Sequence, residues 1–362
     1  MGTRTNEFTG GFIAVHVGAG KHSEKMKDQY QDCCRQACDM GIQTLKSSYS
    51  ALEAVTKAVM VLEDSPLTNA GFGSNLTYEG TVECDASVMD GSNLQYGSIG
   101  AVSGVKNPVQ VARALCQFQT HNNIGHGRIP PSFLVGDGAL AWAKQMNIEV
   151  IKPDQLITEK AKKVYNHYKK KVESDVSATG LSFRKLDTVG AVCVDAAGNI
   201  ASACSSGGII LKFPGRVGQA GIWGSGCWAS NGGTSIGTST TGSGEHLIRT
   251  HLAQTIANSV VDADCPTTNL HDSMQKNFIE SRYLLGIKEK LGGSIVIRYN
   301  AQDDCGDFLW THSTNSMIIG YMNANSKGAK SYMSTMPNSD VGKKCIVEGI
   351  MFKLHKKRKR TS

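Results

Sequence analysis

The sequence predicts a layered α/β fold, with stacked sheets covered by helices on their outer faces. Three observations lead there. Short apolar strand patterns and longer amphipathic helix patterns mix in both halves of the 362-residue chain. Forty glycines against eight prolines indicate tight turns and close backbone approaches rather than a proline-rich linker protein. Hydrophobic residues make up 40% of the chain, enough for a sizeable core, yet no run reaches the roughly 18 apolar residues of a membrane span.

In chain order, Gly11 to Val17 reads as a buried strand running into His16-Val17-Gly18-Ala19-Gly20. A helix spans about Glu24 to Lys46. A second opens on the capping-box pattern Ser50-Ala51-Leu52-Glu53 and runs to about Glu63. The glycine-punctuated loop Asn69 to Asn75 leads to a strand from Thr81 to Met89 and another near Ser98 to Val102. Helices follow at Pro108 to Gln117 and near Asp137 to Met146. From Lys152 to about Lys185 charge rises, with Lys169-Lys170-Lys171 in the middle and few large apolar residues over 174–182. This segment is expected to be a mobile linker or a long projecting helix, ending at Asp187. Beyond it Val189 to Val194 and Ile200 to Ser205 form a hairpin around Asp195-Ala196-Ala197-Gly198-Asn199. Gly221 to Ala229 reads as a strand, and Glu245 to Asn258 and Asp272 to Leu285 as helices. Strands at Ser294 to Tyr299, Phe308 to His312 and Met317 to Met322 close the pattern, and no internal repeat is visible.

Composition narrows the function classes. The N-terminus lacks the apolar run of a secretory signal. Asn6 breaks the myristoylation pattern that begins at Gly2. Eleven cysteines contain no C-x-x-C pair and read as small apolar residues in a reducing compartment. The net charge of +7 is mostly local. Lys353, Lys356, Lys357, Arg358, Lys359 and Arg360 supply six of those charges, leaving about +1 for the rest. A near-neutral body argues against direct nucleic-acid binding. The run Lys356 to Arg360 reads as a nuclear-import tag on a solvated tail, so nucleus and cytoplasm are the expected locations.

The most informative stretch is Asp187-Thr188-Val189-Gly190-Ala191-Val192, a threonine preceded by an acid at the start of a strand. A threonine hydroxyl is a poor nucleophile until something nearby takes its proton. If the Asp187–Thr188 bond breaks, the freed α-amine sits beside that hydroxyl and serves as its base. The parts such a nucleophile needs follow downstream. Ser206 offers an orienting hydroxyl, Arg216 a bidentate fork for a carboxylate, and Thr241 with the Gly242 N–H donors for an oxyanion. In isolation each also has an ordinary reading, as a turn, a surface loop or a helix cap.

These pieces, in this order, resemble the type 2 asparaginase family of N-terminal-nucleophile hydrolases, and within it most closely the threonine aspartase branch. The matching runs include V-H-V-G-A-G at 15–20, L-E-D-S-P-L-T-N-A-G-F-G-S-N at 62–75, E-C-D-A-S-V-M-D-G at 83–91 and G-R-I-P-P-S-F-L-V-G at 127–136. L-D-T-V-G-A-V at 186–192, S-S-G-G at 205–208, F-P-G-R-V-G-Q at 213–219, G-S-G-C-W-A at 224–229 and G-S-G-E-H-L at 242–247 complete them. The resemblance implies a four-layer αββα sandwich, made as one chain and self-cut into an α subunit (1–187) and a β subunit (188–362), with the basic tail at 353–362. It makes Thr188 the nucleophile, Ser206 its orienting partner and Arg216 the grip on the substrate carboxylate. Thr241 and Gly242 become the oxyanion pair, and Gly18 the glycine of a loop against the active site. It also implies pairing of αβ units into an (αβ)2 assembly. No metal or organic cofactor is implied.

Two departures bear on the substrate. Small-substrate relatives release threonine after a glycine, whereas Asp187 stands here, and they keep an aspartate where this chain has Gln219. An aspartate there holds the substrate's free α-amine, which an internal aspartate lacks. Lys212, four residues before Arg216, adds positive charge near a carboxylate pocket or is simply solvated. From these points the sequence favours a threonine endopeptidase that cuts itself after Asp187. It would then cut protein substrates with an internal cleavable aspartate, nuclear transcription or chromatin regulators among them. An L-asparaginase or isoaspartyl dipeptidase is the alternative. An inactive scaffold fits poorly with the intact Asp187-Thr188 pair and Arg216.

Overall fold

A computed structural model describes residues 10–120, 125–174 and 187–355. In chain order come β1 (Gly11–Gly20), α1 (Lys27–Lys46), α2 (Ala51–Glu63), β2 (Cys84–Asp90), β3 (Gln95–Val102), α3 (Pro108–Phe118), β4 (Phe133–Val135), α4 (Gly136–Gln145) and α5 (Glu159–Ser174). The second half has β5 (Val189–Asp195), β6 (Ile200–Ser206), β7 (Cys227–Ser230), β8 (Thr234–Gly242), α6 (Gly244–Arg249), α7 (Leu252–Val260), α8 (Pro266–Met274), β9 (Gly292–Asn300), β10 (Cys305–His312), β11 (Ser316–Asn323), β12 (Lys330–Thr335) and β13 (Ile346–Phe352). One sheet has the order β12-β11-β1-β5-β6-β2-β3-β4, the other β13-β10-β9-β8-β7.

Three apolar layers hold the molecule together, and strand parity sorts residues among them. Alternate side chains of a strand point to opposite faces. In β1, Ile13, Val15 and Val17 join the cluster under α1, α2 and α3, while Phe12 and Ala14 join the one between the sheets, and a register shift between His16 and Ala19 puts Ala19 there too. In β5, Ala191 and Cys193 face the helices, whereas Val192 and Val194 face the second sheet. A third cluster packs α7 and α8 on the far side of the five-stranded sheet, through Leu252, Ile256, Leu270 and Val296. This is the four-layer αββα arrangement. Central strands are buried on both faces and so read as continuous apolar runs.

Eight of the eleven cysteines are buried in these layers, whereas Cys265 is exposed and Cys305 and Cys345 are intermediate. Cys33, Cys34 and Cys38 lie on the buried face of α1, and all eleven are free thiols. Ser50 caps α2, its hydroxyl accepting from the Glu53 N–H at 3.3 Å.

Several element expectations need correction. The strand drawn from Gly221 to Ala229 shrinks to β7, because Gly221 ends a 3-10 turn that begins at Gln219 and 222–226 continue as turns. The helix drawn from Glu245 to Asn258 breaks into α6 and α7 at His251, whose φ of 43° is left-handed. That drawn from Asp272 to Leu285 begins earlier, at Pro266, and ends in a wider π turn and a 3-10 turn. Strands β4, β8, β12 and β13 were not anticipated. The 152–174 stretch is helical over α5, and that helix is tied to the body rather than free-standing. Along α5 the Tyr165 hydroxyl and Lys169 Nζ both donate to the Tyr78 carbonyl, at 3.1 and 2.9 Å, docking it on the loop before β2. Residues 175–186 and the basic run 356–360 lie outside the described residues.

Candidate active site

The hairpin β5–β6 places Thr188, the candidate nucleophile. Its register pairs Val189 with Ser205 and Gly190 with Cys204, and continuing it sets Thr188 opposite Ser206. Both share the parity of Val192 and Cys204, so both face the space between the sheets. The Thr188 hydroxyl donates to Ser206 Oγ at 3.1 Å and accepts from Gln219 Nε2 at 2.9 Å. Ser206 Oγ also accepts from the Gly208 N–H at 3.0 Å. Thr188 is 3% exposed, so bulk water does not compete for these bonds.

Beneath the nucleophile lies His16, buried on β1. A carbonyl only accepts, so the 3.0 Å contact to Thr188 O makes Nδ1 the protonated nitrogen. Nε2 is then an acceptor facing the Ser239 hydroxyl at 3.0 Å, whose single proton also lies within reach of the Ala203 carbonyl at 3.0 Å. Burial holds this ring neutral, lowering its pKa to about 3 against the opposing bond to Thr188 O. Gly190 makes room for the pair: a Cβ there would lie 2.0 Å from Ser239 Oγ and 2.6 Å from His16 Nε2.

The remaining expected residues divide. Arg216 lies at the cleft, but its fork is engaged by Glu245, with Nε and Nη2 donating at 2.9 and 2.8 Å. Gly242 lines the cleft together with Asn69, Asp187, Thr188, Ser206 and Gly208. Thr241 is turned to the first loop, where its Oγ1 accepts from the Ala19 N–H at 3.1 Å. That leaves its own proton to donate. Gly18, at φ 117°, presses on Asp187, since a Cβ there would stand 2.7 Å from the Asp187 Cα. Lys212 is not solvated. It is 2% exposed, and its ammonium donates to the Glu83 carbonyl at 2.8 Å, behind the Gly207-Gly208 turn rather than in the cleft. With Asp187 still attached, the cleft leaves about 10 Å³ for a water-sized molecule, roughly one water.

Sequence reasoning missed the residues that brace these groups. Asp85, buried on β2, accepts from the Ala101 and Gly218 N–H groups, both at 2.8 Å, and so fixes the loop that carries Arg216. Asn69 donates to Gly208 O at 2.8 Å, and its own carbonyl accepts from the Gly207 N–H at 2.8 Å. Glu63 accepts from Ser205 Oγ at 2.6 Å and from Val109 N at 3.0 Å. Burial pushes its pKa up to about 8, so it is largely a neutral acid. All three fall inside the matching runs, and that was the available signal. Among the described residues no group of three His, Cys, Asp or Glu side chains is placed to hold a metal ion.

A buried strand-start threonine between a serine and an amide, in an αββα sandwich, defines the class as an N-terminal-nucleophile hydrolase. The chain belongs to the type 2 asparaginase family, whose sequence profile, described as asparaginase, matches residues 9–331. It is 34% identical over 306 residues to a Xenopus laevis protein named isoaspartyl peptidase/L-asparaginase, covering 84% of this chain and 90% of that one. A Homo sapiens protein of the same name is 38% identical over 244 residues, 67% of this chain and 74% of its own. A Salmonella typhimurium isoaspartyl peptidase is 37% identical over 253 residues, 68% and 77% of the two chains.

These relatives overturn the endopeptidase expectation and favour the alternative. The narrower reading leaned on Asp187 and Gln219. In the fold the latter residue serves the nucleophile itself, so its amide is no sign of a substrate without an α-amine.

Proposed function

We propose that the chain is a self-processing N-terminal-threonine amidohydrolase acting on L-asparagine and on isoaspartyl peptides. The observation that carries this reading is the Thr188 hydroxyl, held between Ser206 and Gln219 directly after the Asp187 carbonyl. In the precursor, Thr188 Oγ attacks the Asp187 carbonyl carbon. The C–N bond breaks as the Thr188 nitrogen takes up a proton, leaving an ester between Asp187 and the hydroxyl oxygen. Water hydrolyses that ester to an Asp187 carboxylate and restores the hydroxyl beside a free α-amine.

In the mature enzyme that amine takes the hydroxyl proton. Oγ attacks the side-chain carbonyl of the substrate, and the proton passes to the departing ammonia or peptide amine. Water then releases aspartate from the acyl-threonine. Thr241 and the Gly242 N–H steady the oxyanion, a role worth roughly 3–4 kcal/mol per donor. Arg216 binds the substrate α-carboxylate, exchanging it for Glu245, and Gln219 Oε1 accepts from the α-ammonium. Pairing into (αβ)2 and nuclear import through Lys356 to Arg360 belong to the same proposal. Light scattering and the location of a tail-less chain test them.

Two measurements test the main reading. Intact mass should show a break between 187 and 188, absent in Thr188→Ala, which stays one 38.7 kDa chain. Purified protein should release ammonia from L-asparagine and split a β-aspartyl dipeptide while leaving an α-linked peptide with an internal aspartate whole. Cleavage of that last peptide alone would sink it.

A further inference from the structure

We propose that His22 is a positioning residue for self-cleavage: its imidazole holds the Asp187 carboxylate and so sets the scissile peptide against the nucleophile. The inference rests on the self-processing reading above and deepens it.

His22 Nε2 faces Asp187 Oδ1 at 3.6 Å, with side chains 1% and 20% exposed. Neither atom has another hydrogen-bond partner, and both are buried. An unmet buried donor or acceptor costs about 1–3 kcal/mol, so each is the other's natural partner. Ser316 sits at the other ring nitrogen. Its Oγ accepts from the His22 backbone N–H at 3.0 Å and lies 2.9 Å from His22 Nδ1, to which it can give its single proton. A neutral ring that accepts at Nδ1 carries its hydrogen on Nε2, aimed at Asp187.

The carboxylate is held from a second side. Gly18 lies close enough that a Cβ would come within 2.7 Å of the Asp187 Cα and 3.2 Å of Oδ1. Asp187 is thus pinned between a glycine that lets its backbone approach and an imidazole that takes its side chain.

The groups facing His22 are Asp187, the Val17 carbonyl, Lys160, His312 and the Tyr30 ring, whose edge contact has a centroid separation of 5.3 Å. Burial lowers the His22 pKa, Asp187 and the Val17 carbonyl oppose that, and Lys160 adds to it. Removing the Asp187 charge therefore lowers it further.

The first test uses the uncut Thr188→Ala chain, with the His22 pKa read by NMR. Adding Asp187→Asn should lower that pKa measurably, and an unchanged value would overturn the contact. The second follows appearance of the two fragments in four chains: wild type, His22→Phe, Asp187→Gly and the double variant. His22→Phe should slow cleavage tenfold or more beside Asp187, but less than twofold in the Asp187→Gly background, because no carboxylate is left to hold. Equal slowing in both backgrounds, or none, overturns the proposal. His22→Gln keeps an N–H near the same place and should recover most of the rate even if the phenylalanine variant folds poorly; no recovery counts against it. If the NMR contact is present but none of the four chains cuts, the self-processing reading has failed, and the positioning role with it.

Discussion

Gln219 is where a single side chain sets how the site treats its substrate. Its Nε2 donates to the nucleophile, which leaves Oε1 as a neutral acceptor for a substrate ammonium. A charged acceptor makes a hydrogen bond roughly twice as strong. Gln219→Asp should therefore lower KM for L-asparagine about tenfold, the equivalent of ~1.4 kcal/mol. The same change removes the donor to Thr188 Oγ and should slow self-cleavage. Steady-state kinetics and a processing time course separate the two effects, and a KM that stays level would count against an α-ammonium at this position. At this scale the sequence pointed to candidate chemical groups, because a threonine after an acid at a strand start and an arginine downstream have recognisable reasons to be there. It did not reveal Asp85 or Asn69, whose work is done on backbone N–H and carbonyl groups far away in the chain.

The β5–β6 hairpin turns residue choice into geometry. Its register faces Thr188 and Ser206 to the same layer, and Gly190 opens the pocket that His16 and Ser239 fill. Gly190→Ala must displace that pair or shift the strand, at a cost of about 1–3 kcal/mol. The expected result is a lower urea midpoint together with slower processing, and an alanine variant as stable as wild type would show that the pocket has slack. The hairpin was legible from its apolar alternation and its Asp-to-Asn turn. Strand β8 was not. Thr-Ser-Ile-Gly-Thr-Ser-Thr-Thr-Gly is a polar run that reads as turns and caps, yet it lies buried between β7 and β9, its hydroxyls satisfied by carbonyls such as Ala253 O and Ser225 O. The break at His251 was hidden for a related reason, since a left-handed residue inside an amphipathic pattern leaves the pattern intact.

Three buried titratable groups tie the stability of the whole molecule to pH. His16 and His312 have folded pKa values lowered by burial to about 3 and about 4, against 6.5 in the unfolded chain. Their stabilising effect is present above pH 6.5 and is lost as pH falls toward 4 and 3, at up to ~1.4 kcal/mol per unit for each. Glu63 runs the other way. Its pKa is raised from 4.5 to about 8, so its contribution is intact below 4.5 and is lost as pH rises to 8. Glu63→Gln keeps an acceptor for Ser205 and Val109 without the charge. Its stability relative to wild type should climb between pH 5 and 8 in urea titrations, and a constant difference would refute the neutral buried acid.

The sequence by itself determined the layered class and most strands and helices, and it singled out Thr188 with its candidate partners, because periodicity and reactive residue types are local properties. Only the tertiary structure decided what those residues touch. It took strand pairing and the packing of loops at the strand ends to bury Lys212 against a carbonyl, close Arg216 on Glu245, and bring His22 from the end of the first strand to Asp187. Those contacts join residues up to 165 positions apart, from 22 to 187, and no local pattern encodes a distance that chain folding sets.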